Sequence, residues 1–165
     1  IEWAEKMAVK YNVNRDQARL AALFHDCAKN LSNEELLEQW TAAGFQPDEW
    51  MADQPDLLHG PVGALIAEQE FGVSDAEVLQ AIARHTLGGD DMTPLDKIIF
   101  LADMVEVNRS FPGVEALRAL TMENLDKAMI TAVNKVIEYL LQSDAVIHPQ
   151  TLRTRNILLT IYIRH

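Results

Sequence analysis

The chain has 165 residues, 48% of them hydrophobic and 24% charged, so it is long enough to bury a core and too apolar for a disordered segment. Its net charge of −11 repels nucleic-acid backbones, so no nucleic-acid polymer is expected as a partner. No apolar run reaches the roughly 18 residues of a membrane span, and no signal peptide is visible at Ile1, so no membrane is expected either. The single cysteine, Cys27, excludes an intrachain disulfide and indicates a reducing cytoplasm.

Helix-start and helix-end residues recur along the chain and predict an all-α fold. Asn14 with Gln17, Ser32 with Glu35 and Ser74 with Glu77 have the spacing of capping boxes, and prolines stand where first-turn prolines belong. The predicted helices cover about 1–11, 18–28, 33–43, 61–71, 75–85, 94–107, 114–122, 124–142 and 151–163. No stretch alternates like a strand and no repeat is present, so a single domain over 1–165 is predicted.

Residues 45–58 contain Pro47 and Pro55 and are predicted to form a long ordered loop. Trp50 and Met51 in this segment could line a pocket for a nucleobase, but core packing is the simpler interpretation. No glycine-rich segment fits a phosphate loop or a dinucleotide fingerprint, and Gly88 is interpreted as part of a helix terminator.

Three histidines, His25, His59 and His85, each stand at a predicted helix end or just before a helix start. Each one alone has a simple structural explanation, such as the favourable interaction of an imidazolium with a helix C-terminus. Asp26, however, follows the apolar residues 20–24, and a carboxylate there is costly to bury unless it is paired or binds a metal. The plainer alternative is that the helix reaches the surface at Asp26.

A second carboxylate, Asp103, falls on the flank of the apolar stripe of helix 94–107, and Glu106 and Arg109 fall within that stripe. Charged groups on a buried face need partners. One interpretation is a structural ion pair between Glu106 and Arg109. The other is that Asp103 is a metal ligand, with Glu106 and Arg109 near a substrate or hydrogen-bonded around the site.

Imidazole and carboxylate ligands together favour iron, manganese or zinc, and the lack of clustered cysteines excludes a thiolate site. Two such metals could activate a bridging water and hold a phosphoryl oxygen. Cys27 is predicted to be a small buried packing residue and not a nucleophile.

Six segments in order along the chain (21–29, 58–64, 81–88, 95–109, 111–114 and 147–156) carry motifs such as Leu23-Phe24-His25-Asp26 and Arg84-His85-Thr86. Together they resemble the motifs of YqeK-type HD-domain proteins, the symmetrical diadenosine tetraphosphate hydrolases. The resemblance covers almost the whole chain and implies an HD-domain helical bundle.

The resemblance implies a site with two divalent metal ions, iron first and manganese or zinc as alternatives. It implies five metal ligands, with Asp26 as the bridge: His25, Asp26, His59, His85 and Asp103. It implies three residues close to phosphate oxygens: Lys29, Thr86 and Arg109. Of these, Lys29 and Arg109 are the predicted catalytic residues together with Asp26.

The implied reaction is cleavage of diadenosine tetraphosphate at its centre to two ADP, and the implied partner is a small dinucleoside polyphosphate or ADP. A homodimer is compatible with the sequence. The family carries a further histidine ligand that aligns about one turn upstream of Ile1, so the first metal has three ligands within these residues. Two other functions stay open: hydrolysis of another nucleotide by the same chemistry, and nucleotide binding without catalysis.

Overall fold

Ten α-helices and one 3₁₀ helix make up residues 1–164, the part of the chain that the computed structural model describes; this part contains no strand, and His165 lies outside it. The helices are α1 (Glu2–Lys10), α2 (Arg15–Phe24), α3 (Asn33–Ala42), α4 (Glu49–Asp53), α5 (His59–Gln69), α6 (Ala76–Arg84), α7 (Pro94–Val105), α8 (Val114–Glu123), α9 (Leu125–Gln142) and α10 (Pro149–Arg164). The 3₁₀ helix, Pro55–Leu58, lies between α4 and α5. The all-α prediction is confirmed.

Side-chain caps open most of these helices. Ser32 and Glu35 form the predicted capping box of α3, and Thr93 forms another with Asp96 at the start of α7. At α6 the predicted cap was one residue off, because Asp75 and not the preceding serine accepts the first backbone N–H groups. A carboxylate is an equally good cap, so local spacing alone does not distinguish two adjacent cap residues.

The predictions for three segments are wrong. Residues 45–58 are not a loop, since α4 and the 3₁₀ helix lie within them. The second helix is Arg15–Phe24 and not 18–28. The third error concerns α7, which ends at Val105 because Glu106 leaves the helical region with ψ 154°.

Helix α7 runs through the middle of the core and packs against α1, α2, α6, α8 and α9. Its buried side chains include Ile98 and Leu101, both 0% exposed, and burial of each contributes about 2 kcal/mol. A smaller core of Ala28, Leu36, Leu58 and Val62 lies beside α3, and Met51 packs against it, as the core interpretation of that residue expected.

One buried carboxylate joins α6 to α7. Asp96, which is fully buried, accepts hydrogen bonds from Gln80 Nε2 at 2.9 Å and from Arg84 Nη1 at 3.1 Å. Arg84 is the last residue of α6, directly before His85, and Asp96 lies two turns before Asp103 on α7. The ion pair between Arg84 and Asp96 therefore joins the end of α6 to the first turn of α7, and both helices position candidate metal ligands.

None of the helices within residues 1–164 combines the length and apolar character that crossing a bilayer requires.

Candidate metal centre

The three helix-end histidines are oriented by the same local device. In His25, His59 and His85 the ring Nδ1 faces the backbone carbonyl three residues earlier, at 2.8, 2.7 and 2.7 Å. A carbonyl can only accept, so each Nδ1 carries the proton and each Nε2 presents a lone pair. Hydrogen bonding of one imidazole nitrogen to a backbone carbonyl is the usual arrangement around metal-binding histidines.

Two of these lone pairs point at each other and at Asp26. His59 Nε2 lies 3.0 Å from His85 Nε2, and Asp26 Oδ1 lies 3.7 Å from the former and 3.4 Å from the latter. Asp26 Oδ1 is buried and has no hydrogen-bond donor. When both imidazoles are neutral, these three atoms are electron-pair donors in contact, and they repel one another unless a cation lies among them. This group therefore fits a divalent metal ion.

A second group uses the other oxygen of the same carboxylate. His25 Nε2 lies 3.4 Å from Asp26 Oδ2 and 3.7 Å from Asp103 Oδ1. Within each group of three residues, all the ligand atoms lie within 4.8 Å of one another. Because Asp26 belongs to both groups, its two oxygens can serve two metal ions, and the nitrogen and oxygen donors suit iron, manganese or zinc.

Both carboxyl groups are ionised at neutral pH. Burial opposes ionisation of Asp26, but interactions with His85 and with the Lys29 ammonium outweigh it and hold the pKa of Asp26 well below its usual range. Burial opposes ionisation of Asp103 too, yet interactions with His25 and with the Arg109 guanidinium lower its pKa to about 2. Anionic ligands attract metal ions without first losing a proton.

The residues predicted to contact phosphate surround these ligands. Lys29 Nζ donates to Asp26 Oδ2 at 2.9 Å, Arg109 Nη2 donates to Asp103 Oδ1 at 2.9 Å, and Thr86 Oγ1 lies 3.2 Å from His59 Nε2. A cavity of about 390 Å³ opens over His25, Asp26 and Asp103. The residues that line it further include Ile1, Lys29, Glu106, Asn108 and Arg109.

Two interpretations of individual residues are wrong. Arg109 does not pair with Glu106, because α7 has ended at Val105 and the chain turns Arg109 back onto Asp103. Cys27 is exposed and not buried, with its Sγ 3.4 Å from the carbonyl oxygen of Gly63. In both cases the prediction extended a helix past its true end, which places the following side chains on the wrong face.

Gly60 makes room for the contact between His59 and His85. A Cβ at this position would lie 2.9 Å from the carbonyl oxygen of Ala83 and 3.3 Å from His85 Nδ1. We expect Gly60→Ala to push α5 away from α6 and to weaken metal binding by the His59 and His85 group by about tenfold or more. Titration of the metal-free protein with Mn²⁺, followed by calorimetry, measures this.

Gly63→Ala, on the same helix as Gly60, is the matched control. A Cβ at Gly63 would lie 3.5 Å from its nearest neighbour, Cys27 Sγ, which is an ordinary van der Waals distance. Equal metal affinities for the Gly60→Ala and Gly63→Ala proteins would contradict the close-approach role of Gly60.

Comparison with known proteins places this chain in a family. The family model described as HD domain matches residues 1–108. A symmetrical bis(5′-nucleosyl)-tetraphosphatase of Bacillus subtilis is 37% identical over 93% of this chain and 82% of its own length. Its namesake from Halalkalibacterium halodurans is 41% identical over 96% of this chain and 84% of its own.

A solved structure supports the same family. The crystal structure of a predicted HD superfamily hydrolase from Clostridium acetobutylicum, described as involved in NAD metabolism, superposes with a TM-score of 0.94 at 36% identity, over 96% of this chain and 84% of that one. The matched span of the family model includes all five candidate ligands. This chain therefore belongs to the HD-domain family of metal-dependent hydrolases, in the branch whose curated members are named symmetrical bis(5′-nucleosyl)-tetraphosphatase.

Proposed function

We propose that this protein hydrolyses diadenosine tetraphosphate symmetrically to two ADP. The observation that carries the proposal is the position of Asp26, whose two oxygens face two separate groups of histidine and carboxylate ligands. Relatives that share 37% and 41% of its residues over most of the chain bear the name of this activity. The five ligands we propose are His25, Asp26, His59, His85 and Asp103.

Two divalent metal ions bound by these ligands would supply an activated water and neutralise charge on the central phosphates. We propose iron as the native metal, and the same donors accept manganese or zinc. The water oxygen forms a bond to one central phosphorus, and the bond from that phosphorus to the central bridging oxygen breaks. One ADP then carries the water oxygen and the other keeps the bridging oxygen.

The protein's own cations complete the site. Lys29 and Arg109 neutralise Asp26 and Asp103 in the absence of other cations, and both side chains are about half exposed, at 51% and 44%. Once the two carboxylates serve as metal ligands, these cations can turn to phosphate oxygens, and the Thr86 hydroxyl can donate a third hydrogen bond. We propose Lys29 and Arg109 as the catalytic cations because they stabilise charge that develops on the leaving ADP.

Three further proposals concern the domain organisation, the location and the partner of the protein. Buried side chains of one core come from both ends of the chain, from Ala4 to Leu158, which supports a single HD domain over 1–165. The lone Cys27 supports a cytoplasmic location, and a small dinucleoside polyphosphate is the proposed partner.

The product pattern tests the proposal. The purified protein, loaded with Fe²⁺ or Mn²⁺, is incubated with diadenosine tetraphosphate in ¹⁸O-labelled water, and the nucleotides are separated and weighed by mass spectrometry. We expect ADP as the only nucleotide product, with one ¹⁸O atom in half of the ADP molecules. ATP and AMP in equal amounts would contradict the symmetric cleavage. Faster turnover of other nucleotides in a parallel substrate panel would favour a different natural substrate for the same site.

A further inference from the structure

The turn that carries Arg109 is hydrogen-bonded to a residue of another helix, Arg118 on α8. Helix α7 ends at Val105, and the last carbonyl groups of a helix have no partner within it. Arg118 on α8 supplies the missing donors, since its Nε donates to the Val105 oxygen at 2.9 Å and its Nη2 to the Glu106 oxygen at 2.7 Å.

The same guanidinium reaches across the turn. Arg118 Nη2 also donates to the carbonyl oxygen of Arg109 at 3.0 Å. Among the hydrogen bonds of residues 1–164, no other side chain donates to these three carbonyl groups. One planar, rigid group therefore fixes the backbone at both ends of the segment between the helix end and Arg109.

Arg118 is more buried than Arg109, and the two side chains face different parts of the structure. The side chain of Arg118 is only 14% exposed, whereas that of Arg109 is 44% exposed and lines the cavity. Arg118 does not line that cavity, and its remaining nitrogen, Nη1, pairs with Glu115, which is 82% exposed. Arg118 thus contacts backbone and solvent-side groups, and Arg109 faces the cavity.

We propose that Arg118 is the positioning residue for Arg109: its guanidinium holds the carbonyl groups of residues 105, 106 and 109 so that the Arg109 side chain is presented to the phosphate chain of the substrate. This inference rests on the phosphate-contacting role proposed for Arg109. Without Arg118, the carbonyl groups of Val105 and Arg109 lose their side-chain donor, the Glu106 oxygen keeps only the backbone N–H of Arg109 at 3.0 Å, and the turn can shift. A displacement of about 1 Å of a group that contacts the reacting atoms can cost about 100-fold in rate.

A double-mutant cycle tests the proposal. Arg118→Met keeps the bulk of the side-chain stem and removes the three donations, and Arg118→Lys keeps the charge but not the planar fork. We expect kcat/KM for diadenosine tetraphosphate to fall about 10- to 100-fold in Arg118→Met, and less in Arg118→Lys. Two metal ions per chain should be retained in both variants. In the Arg109→Ala background, Arg118→Met should lower kcat/KM by less than about threefold more, because the group it positions is gone.

Glu115→Gln is the matched control. It removes the exposed ion pair of Arg118 Nη1 and leaves the three carbonyl contacts in place, so kcat/KM should stay within about twofold of the unmodified protein. A loss in Glu115→Gln as large as that in Arg118→Met would show that the ion pair and not the contact with the turn matters, and would overturn the proposal.

Two results distinguish a failure of the positioning role of Arg118 from a failure of the phosphate-contacting role of Arg109. If Arg109→Ala and Arg118→Met each lower kcat/KM but their losses multiply in the double variant, Arg118 acts as a general stabiliser and the positioning role is overturned. If Arg109→Ala leaves kcat/KM unchanged, the phosphate-contacting role proposed for Arg109 is refuted, and with it the need for a residue that positions Arg109. Arg118→Lys provides a folded protein for the same cycle if Arg118→Met does not fold.

Discussion

Asp26→Ala is expected to remove both metal ions from the protein and to lower turnover of diadenosine tetraphosphate by about 10³-fold or more. The reason is that Asp26 belongs to both groups of ligands, with Oδ1 facing His59 and His85 and Oδ2 facing His25. Its loss leaves two neutral imidazoles in one group and a single imidazole with Asp103 in the other. Elemental analysis of the purified variant, together with the rate of ADP formation, measures both effects.

Glu68→Ala on α5 is the control for charge alone, since Glu68 is exposed and lies outside both ligand groups, so two metals should remain. Two metal ions per chain in Asp26→Ala itself, bound as tightly as in the unmodified protein, would refute the bridging role.

The helices were predictable because their signals are local. The capping boxes at Ser32 and Thr93 depend on residues three apart, and the histidines at helix ends follow from the same boundaries. The segment 45–58 was predicted wrongly because Pro47 stands just before α4 and Pro55 opens the 3₁₀ helix, positions that permit a helix start as well as a loop. Tertiary packing of Leu58 and Met51 decides between these outcomes, and sequence spacing does not report it.

The candidate ligands were found because metal chemistry restricts the residue types, and because Asp26 and Asp103 interrupt apolar stripes. Arg118 was missed for the opposite reason. It occupies an unremarkable position on a short helix, and its partners are backbone carbonyl groups, which have no sequence signature. The single local clue was the end of α7: wherever a helix ends next to a site, some donor must serve its last carbonyl groups.

Arg109→Ala is expected to lower kcat/KM by about 10²- to 10³-fold while two metal ions per chain remain bound. Arg109 donates to Asp103 through Nη2 at 2.9 Å and to the Asp103 carbonyl through Nε at 3.2 Å, but it offers no lone pair to a metal. Its removal therefore deprives the phosphate chain of a cation and leaves the ligands in place.

Arg109→Lys should recover only part of the rate, because a single ammonium group cannot reproduce a two-pronged contact with phosphate oxygens. Arg15→Ala is the control for loss of a surface arginine, since Arg15 is 64% exposed and pairs with Glu5 away from the cavity. Steady-state kinetics and metal analysis on the same preparations decide the matter. Loss of metal or of the folded state in Arg109→Ala would mean that its ion pair with Asp103 serves to hold the structure together, and that the charge on the leaving ADP must be stabilised by Lys29 and the metal ions alone.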